Sequence, residues 1–371
     1  FVENRFQDAS SDIRFRTWEE SKFLSGTINY IFSFYNYRQL LKFLRTKRID
    51  VIHIQGFFSS LSPSILLAIK KVKLKSKIKV IQTLHEFHLI CPNSSLFNFT
   101  KNEICEKCIG KKYKIKIFFE NCDRRGRIHS IIKGLRSFVS NNILSHKDIV
   151  DIFITPSNFL REKLIEDGIS PTKIKYIINP LSIDFVDMNS PKENKICFVG
   201  RLSFEKNIPF LIKAFSKWKK EFPNNYKLLI IGDGSEKNKI YETIRGSEFK
   251  YDIEMKPFLE HSKLAQEIIK CRFLSLASIC YENSPLTLIE AVALNIIPIA
   301  PGIGGMQESI NSLLNVGKTY IPDKIDSWIE CLNYLIDNYN LEMDKLLKAK
   351  NVLPSKLSVQ NYYNSLNTIY H

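Results

Sequence analysis

From residue 49 onward the chain alternates short β-branched runs with segments of helical period, and this alternation restricts its fold more than any other feature. Strand, helix and strand in repeated succession specify parallel α/β architecture, because each helix carries the chain back to the starting edge of the sheet. The runs expected as strands are 49–54, 78–84, 149–155 and 174–178, then 195–199, 226–231, 251–255, 273–277 and 296–300. They are nearly continuous in Val, Ile and Leu, as suits strands covered on both faces. Two series imply two sheets, and 371 residues are enough for two domains. The stretch 180–194, with Asn179-Pro180 before it and Asn189-Ser190-Pro191 within it, lacks apolar periodicity and reads as the linker.

With 44% apolar and 25% charged residues, the chain lies far from the composition that stays disordered. No apolar run approaches the ~20 residues of a membrane-spanning helix, and no secretory signal pattern is visible. The chain opens on Phe1 and the polar Glu3-Asn4-Arg5, so part of the natural amino terminus is expected to lie upstream.

The net charge of +16 is unevenly placed. Residues 1–180 hold 31 Lys and Arg against 16 Asp and Glu, or +15, whereas the remainder holds 23 against 22, or +1. One cluster comprises Lys70, Lys71, Lys73, Lys75, Lys77 and Lys79; a second comprises Lys111, Lys112, Lys114, Lys116, Arg124, Arg125 and Arg127. Such a surface draws phosphate groups, on an anionic membrane leaflet or a polyanionic acceptor, or serves as a solubilising face. Nucleic acid is not expected, because interleaved aromatics, helix-turn-helix signals and paired zinc motifs are lacking.

Several helix ends are legible. Ser157 is placed to cap a helix that Gly168 ends, and Ser284 to cap one with Pro285 in its first turn and Asn295 as left-handed terminator. The second helix would follow a strand directly, so its amino end lies at the carboxyl edge of a sheet, where doubly wound folds take ligands. Unbonded amides and the helix dipole there favour phosphate. Glu282 and Glu290 flank this start and could accept paired sugar hydroxyls, or form a cap and a solvated face. Upstream, the run 195–199 enters Gly200-Arg201-Leu202, with Lys206 five residues after Arg201. The glycine permits close approach of a ligand, and two cations suit a pyrophosphate. The turn Gly232-Asp233-Gly234 passes under a nucleotide or is simply tight.

In this order and spacing, these segments resemble the nucleotide-sugar half of glycosyltransferase family 4. The matching strings are Val199-Gly200-Arg201-Leu202 through Lys206, Ile231-Gly232-Asp233-Gly234, and Tyr281-Glu282-Asn283-Ser284-Pro285-Leu286-Thr287-Leu288-Ile289-Glu290-Ala291. Glu282 and Glu290 match the family's Glu-x7-Glu motif, and Gly304-Gly305 with Glu308 resembles the Gly-Gly-x-x-Glu that follows it. Leu61-Ser62-Pro63-Ser64, Thr83-Leu84-His85-Glu86, Cys91-Pro92-Asn93, Pro156-Ser157 and Asn179-Pro180 are similar to the family's first half, so the resemblance covers roughly 40–371.

The resemblance implies an α/β GT-B fold, two Rossmann-like domains with parallel sheets facing across a cleft. Residues 1–180 would form the acceptor-side domain, with a cysteine-containing insertion at about 91–127, and 181–355 the nucleotide-sugar domain. Residues 356–371 would form a final helix packing back on the first domain. The activity implied is a retaining, hexosyltransferase-type glycosyl transfer from a nucleotide-diphosphate sugar, with no metal required for catalysis. By carry-over, Arg201 and Lys206 neutralise the donor diphosphate, and Gly200, Gly232, Ser284, Pro285, Leu286 and Thr287 line the donor. Glu290 holds the ribose hydroxyls, Glu282 reaches the donor sugar or phosphate, and His85 orients the transferred sugar. Fixed cations suit the reaction because negative charge grows on the leaving diphosphate in the transition state. The expected acceptor is a saccharide or lipid-linked saccharide in cell-surface polysaccharide synthesis, held by the basic domain in the cytoplasm at the inner face of the membrane. A degenerate, non-catalytic partner protein of the same fold is the alternative.

The family has glycine where Asn295 stands and a proline one place before Pro298, and its glycine-rich loop after the first strand has no counterpart here. Cys105-x2-Cys108, with Cys91 and Cys122 on either side, suggests a structural four-thiolate zinc site or four unrelated thiols. Cys197, Cys271, Cys280 and Cys331 lie in apolar elements and read as core.

Overall fold

The computed structural model describes residues 13–17, 23–58, 61–181 and 190–371. Glu3-Asn4-Arg5 and most of the expected linker, 182–189, lie outside the described residues. The chain divides into two compact units, the first running to Thr155 with Arg161–Tyr176 and Tyr370, the second holding Pro156–Leu160 and Ile177–Ile369.

The first unit carries a parallel sheet of β1 (Val51–Ile54), β2 (Lys79–Thr83), β5 (Ile152–Thr155) and β6 (Ile174–Tyr176) in that spatial order. Between β2 and β5 lies a small antiparallel hairpin, β3 (Phe97–Asn98) and β4 (Glu103–Ile104), within the cysteine-containing insertion. The second unit contains β7 (Glu193–Val199), β8 (Lys227–Ile231), β9 (Ile253–Lys256), β10 (Cys271–Ser275), β11 (Ile297–Pro301) and β12 (Lys318–Tyr320). Their spatial order is β12-β11-β10-β7-β8-β9, all parallel.

This order has a functional consequence. The chain builds outward from β7 to β9, then returns to the other side of β7 and builds outward again through β10, β11 and β12. The reversal between β7 and β10 is a topological switch point, and connections leaving the carboxyl ends of those two strands diverge and open a crevice. Those connections are Gly200–Lys206 and Leu276–Pro285, the segments singled out by sequence.

All nine expected runs are strands, displaced by a few residues. Their continuous apolar character is explained by burial on both faces: Ile196, Phe198, Leu228, Ile230, Phe273, Leu274, Ile297 and Ile299 are all buried. Trp328 and Trp218 are buried with their indole N–H groups satisfied, by Ser275 Oγ at 3.0 Å and Asn333 Oδ1 at 2.7 Å. Among the described residues no helix is long and apolar enough to cross a membrane.

One helix boundary is corrected. The helix runs Leu286–Ala293, with Pro285 at the N-cap in extended conformation (φ −74°, ψ 93°) and no side-chain capping bond. Ser284 is therefore not its cap, and Pro285 is not in the first turn. Asn295 does adopt the left-handed conformation (φ 58°), and its side chain accepts from Lys350 Nζ at 2.8 Å, so it stands in for glycine with a polar anchor.

Candidate functional site

At the switch point three backbone segments are packed too closely for side chains. A Cβ on Gly232 would lie 1.9 Å from the Gly200 carbonyl oxygen, and one on Gly234 would lie 2.3 Å from that of Leu202. Leu202 N–H donates to Asp233 O at 2.8 Å, locking the β7 and β8 exits together. On the β10 side, a Cβ on Gly305 would lie 1.8 Å from the Asn283 carbonyl oxygen, and Gly305 N–H donates to Glu282 O at 2.8 Å. Gly304 is left-handed (φ 56°) against Tyr281. The Gly-Gly pair thus lets the following turn press onto the loop that carries Glu282.

The charged groups sit on this frame. Lys206 Nζ is 2.8 Å from Glu282 Oε1, and Ser278 Oγ donates to the same oxygen. Arg201 extends outward, 74% exposed, with its guanidinium 3.8 Å from Glu205. Lys206 and Glu282 are thus brought together, while Arg201 remains a solvent-facing cation beside the crevice. Glu290 lies on helix Leu286–Ala293; burial raises its carboxyl above the ordinary range, and His261, 3.9 Å away, acts in the opposite direction. By helix geometry the Leu286 and Thr287 amides have no carbonyl one turn back, so the helix offers donors at the crevice. Asn283 accepts from Ser157 Oγ, which also accepts from Leu160 N–H at 3.1 Å as the expected cap. Glu308 accepts from the amides of Asn158 (2.8 Å) and Phe159 (2.7 Å).

In the first unit, His85 follows β2 at the rim of a cavity of about 170 Å³ lined by Gly56, Phe58, Thr83, His85, Glu86 and His88. A hydrogen-bond chain sets its protonation: His85 Nε2–H donates to Gln55 Oε1 (3.1 Å), Gln55 Nε2 to His53 Nε2 (3.2 Å), and His53 Nδ1–H to the Tyr370 hydroxyl (2.6 Å). Burial holds both His85 and His53 below the ordinary histidine value, so both are neutral at neutral pH. The sequence reading missed the pair beside it, Glu86 Oε2 to His88 Nδ1 at 2.7 Å, with the His88 ring stacked on Phe58 at 4.6 Å. Ser278 and His261 were also missed, since neither lies within a matched motif.

The other expected site residues in the first unit are the four cysteines of the insertion. Cys91, Cys105 and Cys122 all act on the Cys108 thiol, and burial drives Cys108 and Cys122 up to about 12. Burial raises the Cys91 thiol, and the amides of Leu96, Asn93 and Ser95 act in the opposite direction. Among the described residues, no three side chains of metal-binding type stand where they could hold a metal ion. Cys197, Cys271, Cys280 and Cys331 are buried thiols, as expected.

Comparison with known proteins places these features in a family. Residues 14–185 match the family described as Glycosyltransferase Family 4, and residues 183–351 match Glycosyl transferases group 1. The lipopolysaccharide 1,6-galactosyltransferase of Salmonella typhimurium is 31% identical over 197 residues, 50% of this chain and 52% of that protein. The GalNAc-alpha-(1->4)-GalNAc-alpha-(1->3)-diNAcBac-PP-undecaprenol alpha-1,4-N-acetyl-D-galactosaminyltransferase of Campylobacter jejuni is 30% identical over 132 residues, 34% of this chain and 35% of that protein. The chain thus spans about half or less of the length of these curated relatives. Among solved structures, HepE of Anabaena in complex with UDP and glucose superposes with a TM-score of 0.61 at 14% identity, covering 90% of this chain and 81% of that one.

Proposed function

Because this chain belongs to the group 1 glycosyltransferases of GT-B fold, we propose that it moves a hexose from a nucleotide-diphosphate sugar to a saccharide or lipid-linked saccharide, with retention of anomeric configuration. The observation that carries this reading is the Lys206–Glu282 pair at 2.8 Å, held beside the amide-bearing start of helix Leu286–Ala293 at the sheet's switch point. Lys206, Arg201 and the Leu286 and Thr287 amides receive the diphosphate, and their charge is worth most as the leaving group gains its negative charge. Glu290 accepts from the ribose hydroxyls. His85, neutral and fixed in one tautomer, orients the transferred sugar. The departing phosphate oxygen helps remove the acceptor proton from the same face, so no protein nucleophile is needed. The Anabaena neighbour solved with UDP and glucose supports a uridine nucleotide as the first donor to test. The Campylobacter relative, named for an undecaprenol-linked substrate, supports a lipid-linked acceptor.

The test is a thermal-shift panel of nucleotide sugars on the full chain, followed by analysis of the product made from the stabilising donor. A shift with one donor, lost in Lys206→Ala and Glu290→Ala, together with a product of the donor's own anomeric configuration, is expected. An inverted product would remove the retaining mechanism, and a full shift in both variants would remove the site assignment.

A further inference from the structure

The helix Arg127–Phe138 is built inside out. Its inward positions are polar, with Ser130, Arg136 and Ser137 buried, whereas Ile128, Ile131, Leu135 and Phe138 are exposed. Spacings of three, four and three residues place these four side chains within one quarter of the helix circumference, so they form a single outward stripe. Ile128 is 66% exposed, a costly placement for a large aliphatic side chain unless something covers it.

Neighbouring segments widen the stripe. The short helix Lys116–Glu120 crosses at Gly134, where a Cβ would lie 2.7 Å from the Phe118 ring and 2.8 Å from Ile117, and it presents Phe119, 75% exposed. Tyr113, also exposed, stacks on Phe138 with ring centroids 6.5 Å apart.

Within residues 110–140 the exposed charge is of one sign. Lys111, Lys112, Lys116, Arg124 and Arg127 are exposed, and the two carboxylates between residues 110 and 140 are taken up by ion pairs, Glu120 with Lys101 and Lys107, Asp123 with Lys133 and Arg125. The other lysine cluster is partly engaged: Lys73 pairs with Asp151 at 2.6 Å and Lys70 donates to Leu144 O at 3.2 Å, both half-buried, while the exposed Lys71 donates to the Tyr37 hydroxyl at 2.7 Å.

We propose that the face formed by helix Arg127–Phe138, Phe119 and Tyr113 docks on an anionic lipid bilayer, its apolar stripe entering the interface and its cationic border contacting headgroup phosphates. An apolar face bordered by Lys and Arg is the chemistry of helices that lie at the interface of an anionic bilayer. The proposal deepens the reading of a lipid-linked acceptor, since it would bring the first unit to the surface where such an acceptor resides.

The test is flotation of the full chain with vesicles of phosphatidylcholine alone or with 30% phosphatidylglycerol, on the order of a natural anionic fraction. Wild type is expected to float with the anionic vesicles. Ile128→Ser/Ile131→Ser/Leu135→Ser and, separately, Lys111→Glu/Lys112→Glu/Lys116→Glu should each reduce binding at least about tenfold, whereas Lys75→Glu/Lys77→Glu, with two of the same charge reversals elsewhere, should retain most of it. Equal flotation of all variants would overturn the proposal, as would a wild-type dimer in sedimentation velocity that the serine variant abolishes, since the face would then be covered by a second copy. Far-ultraviolet circular dichroism and the donor thermal shift, expected unchanged in each variant, show that the fold is intact. They also separate this proposal from the transferase reading, because donor binding can persist when flotation is lost.

Discussion

Lys206 and Glu282 hold one another at 2.8 Å across the switch point, with the Glu282 side chain only 17% exposed and also bonded by Ser278. The cation that a diphosphate needs is therefore already fixed in place, by a carboxylate that the diphosphate would partly displace. Preorganisation of this kind lowers the reorganisation needed at the moment of reaction.

Lys206→Ala should accordingly do two things. It leaves a sheltered carboxylate without its cation, so the melting temperature should fall, and it removes charge from the leaving group, so kcat/KM should fall about 100-fold or more. Adding Glu282→Gln should restore much of the stability and none of the activity. Melting curves and steady-state kinetics on the single and double variants separate the two roles; recovery of activity in the double variant would mean that Lys206 serves the fold alone.

Gly305→Ala tests the backbone frame. The new methyl would lie 1.8 Å from the Asn283 carbonyl, a clash with backbone that no rotamer relieves. The loop bearing Glu282 must shift, and a loss of about 2–4 kcal/mol in unfolding free energy is expected, with donor stabilisation abolished. Gly302→Ala, whose Cβ would meet nothing closer than 3.5 Å, is the control and should be mild in urea titrations.

Much of this site was readable because its parts follow strands directly. Gly200, Arg201 and Lys206 leave β7, and Glu282 leaves β10, so runs of Val, Ile and Leu that announce strands also locate the loops. Sheet order is not written in any one segment, and the switch point emerges only from β10 pairing with β7 rather than β9. Partners from unmatched stretches, such as Ser278 on Glu282 and His261 near Glu290, depend on side-chain convergence that spacing does not encode. The edge strand Lys318–Tyr320 escaped notice because three residues carry no period. The outward stripe of Arg127–Phe138 shows the converse: its helical spacing is plain in the sequence, but period alone does not say which face is turned inward.

Glu290→Gln is expected to trade stability against binding. Burial raises the Glu290 carboxyl, so the folded chain holds that proton more tightly than the unfolded chain does. Its destabilising contribution is absent at low pH and grows as pH rises through the raised value. The glutamine variant should therefore melt higher than wild type at pH 7.5, with the gap closing toward pH 4, and should bind donor more weakly at pH 7.5. Melting temperatures across that range with and without donor check both signs; a variant that melts lower at pH 7.5 would mean the carboxylate is stabilising.

His146 should govern part of the acid limb of stability. It is fully buried, with Nε2 2.7 Å from Gln82 Oε1 and Nδ1 3.2 Å from Ser140 Oγ. Gln82 Oε1 can only accept, so Nε2 carries the proton and Nδ1 accepts from the serine hydroxyl, which defines a neutral ring. Burial, with Lys147 adding to it, lowers the value to about 3, whereas the unfolded chain titrates near the ordinary 6.5. Between those values the unfolded state binds one proton more, so stability is retained above about pH 6.5 and falls by up to ~1.4 kcal/mol per pH unit as pH drops toward 3. His146→Gln removes this linkage: it should be less stable than wild type at pH 7.5 through lost packing, yet its urea midpoint should decline less steeply from pH 6 to pH 4. Parallel slopes in the two proteins would show that His146 is charged inside the fold, which its two hydrogen bonds oppose.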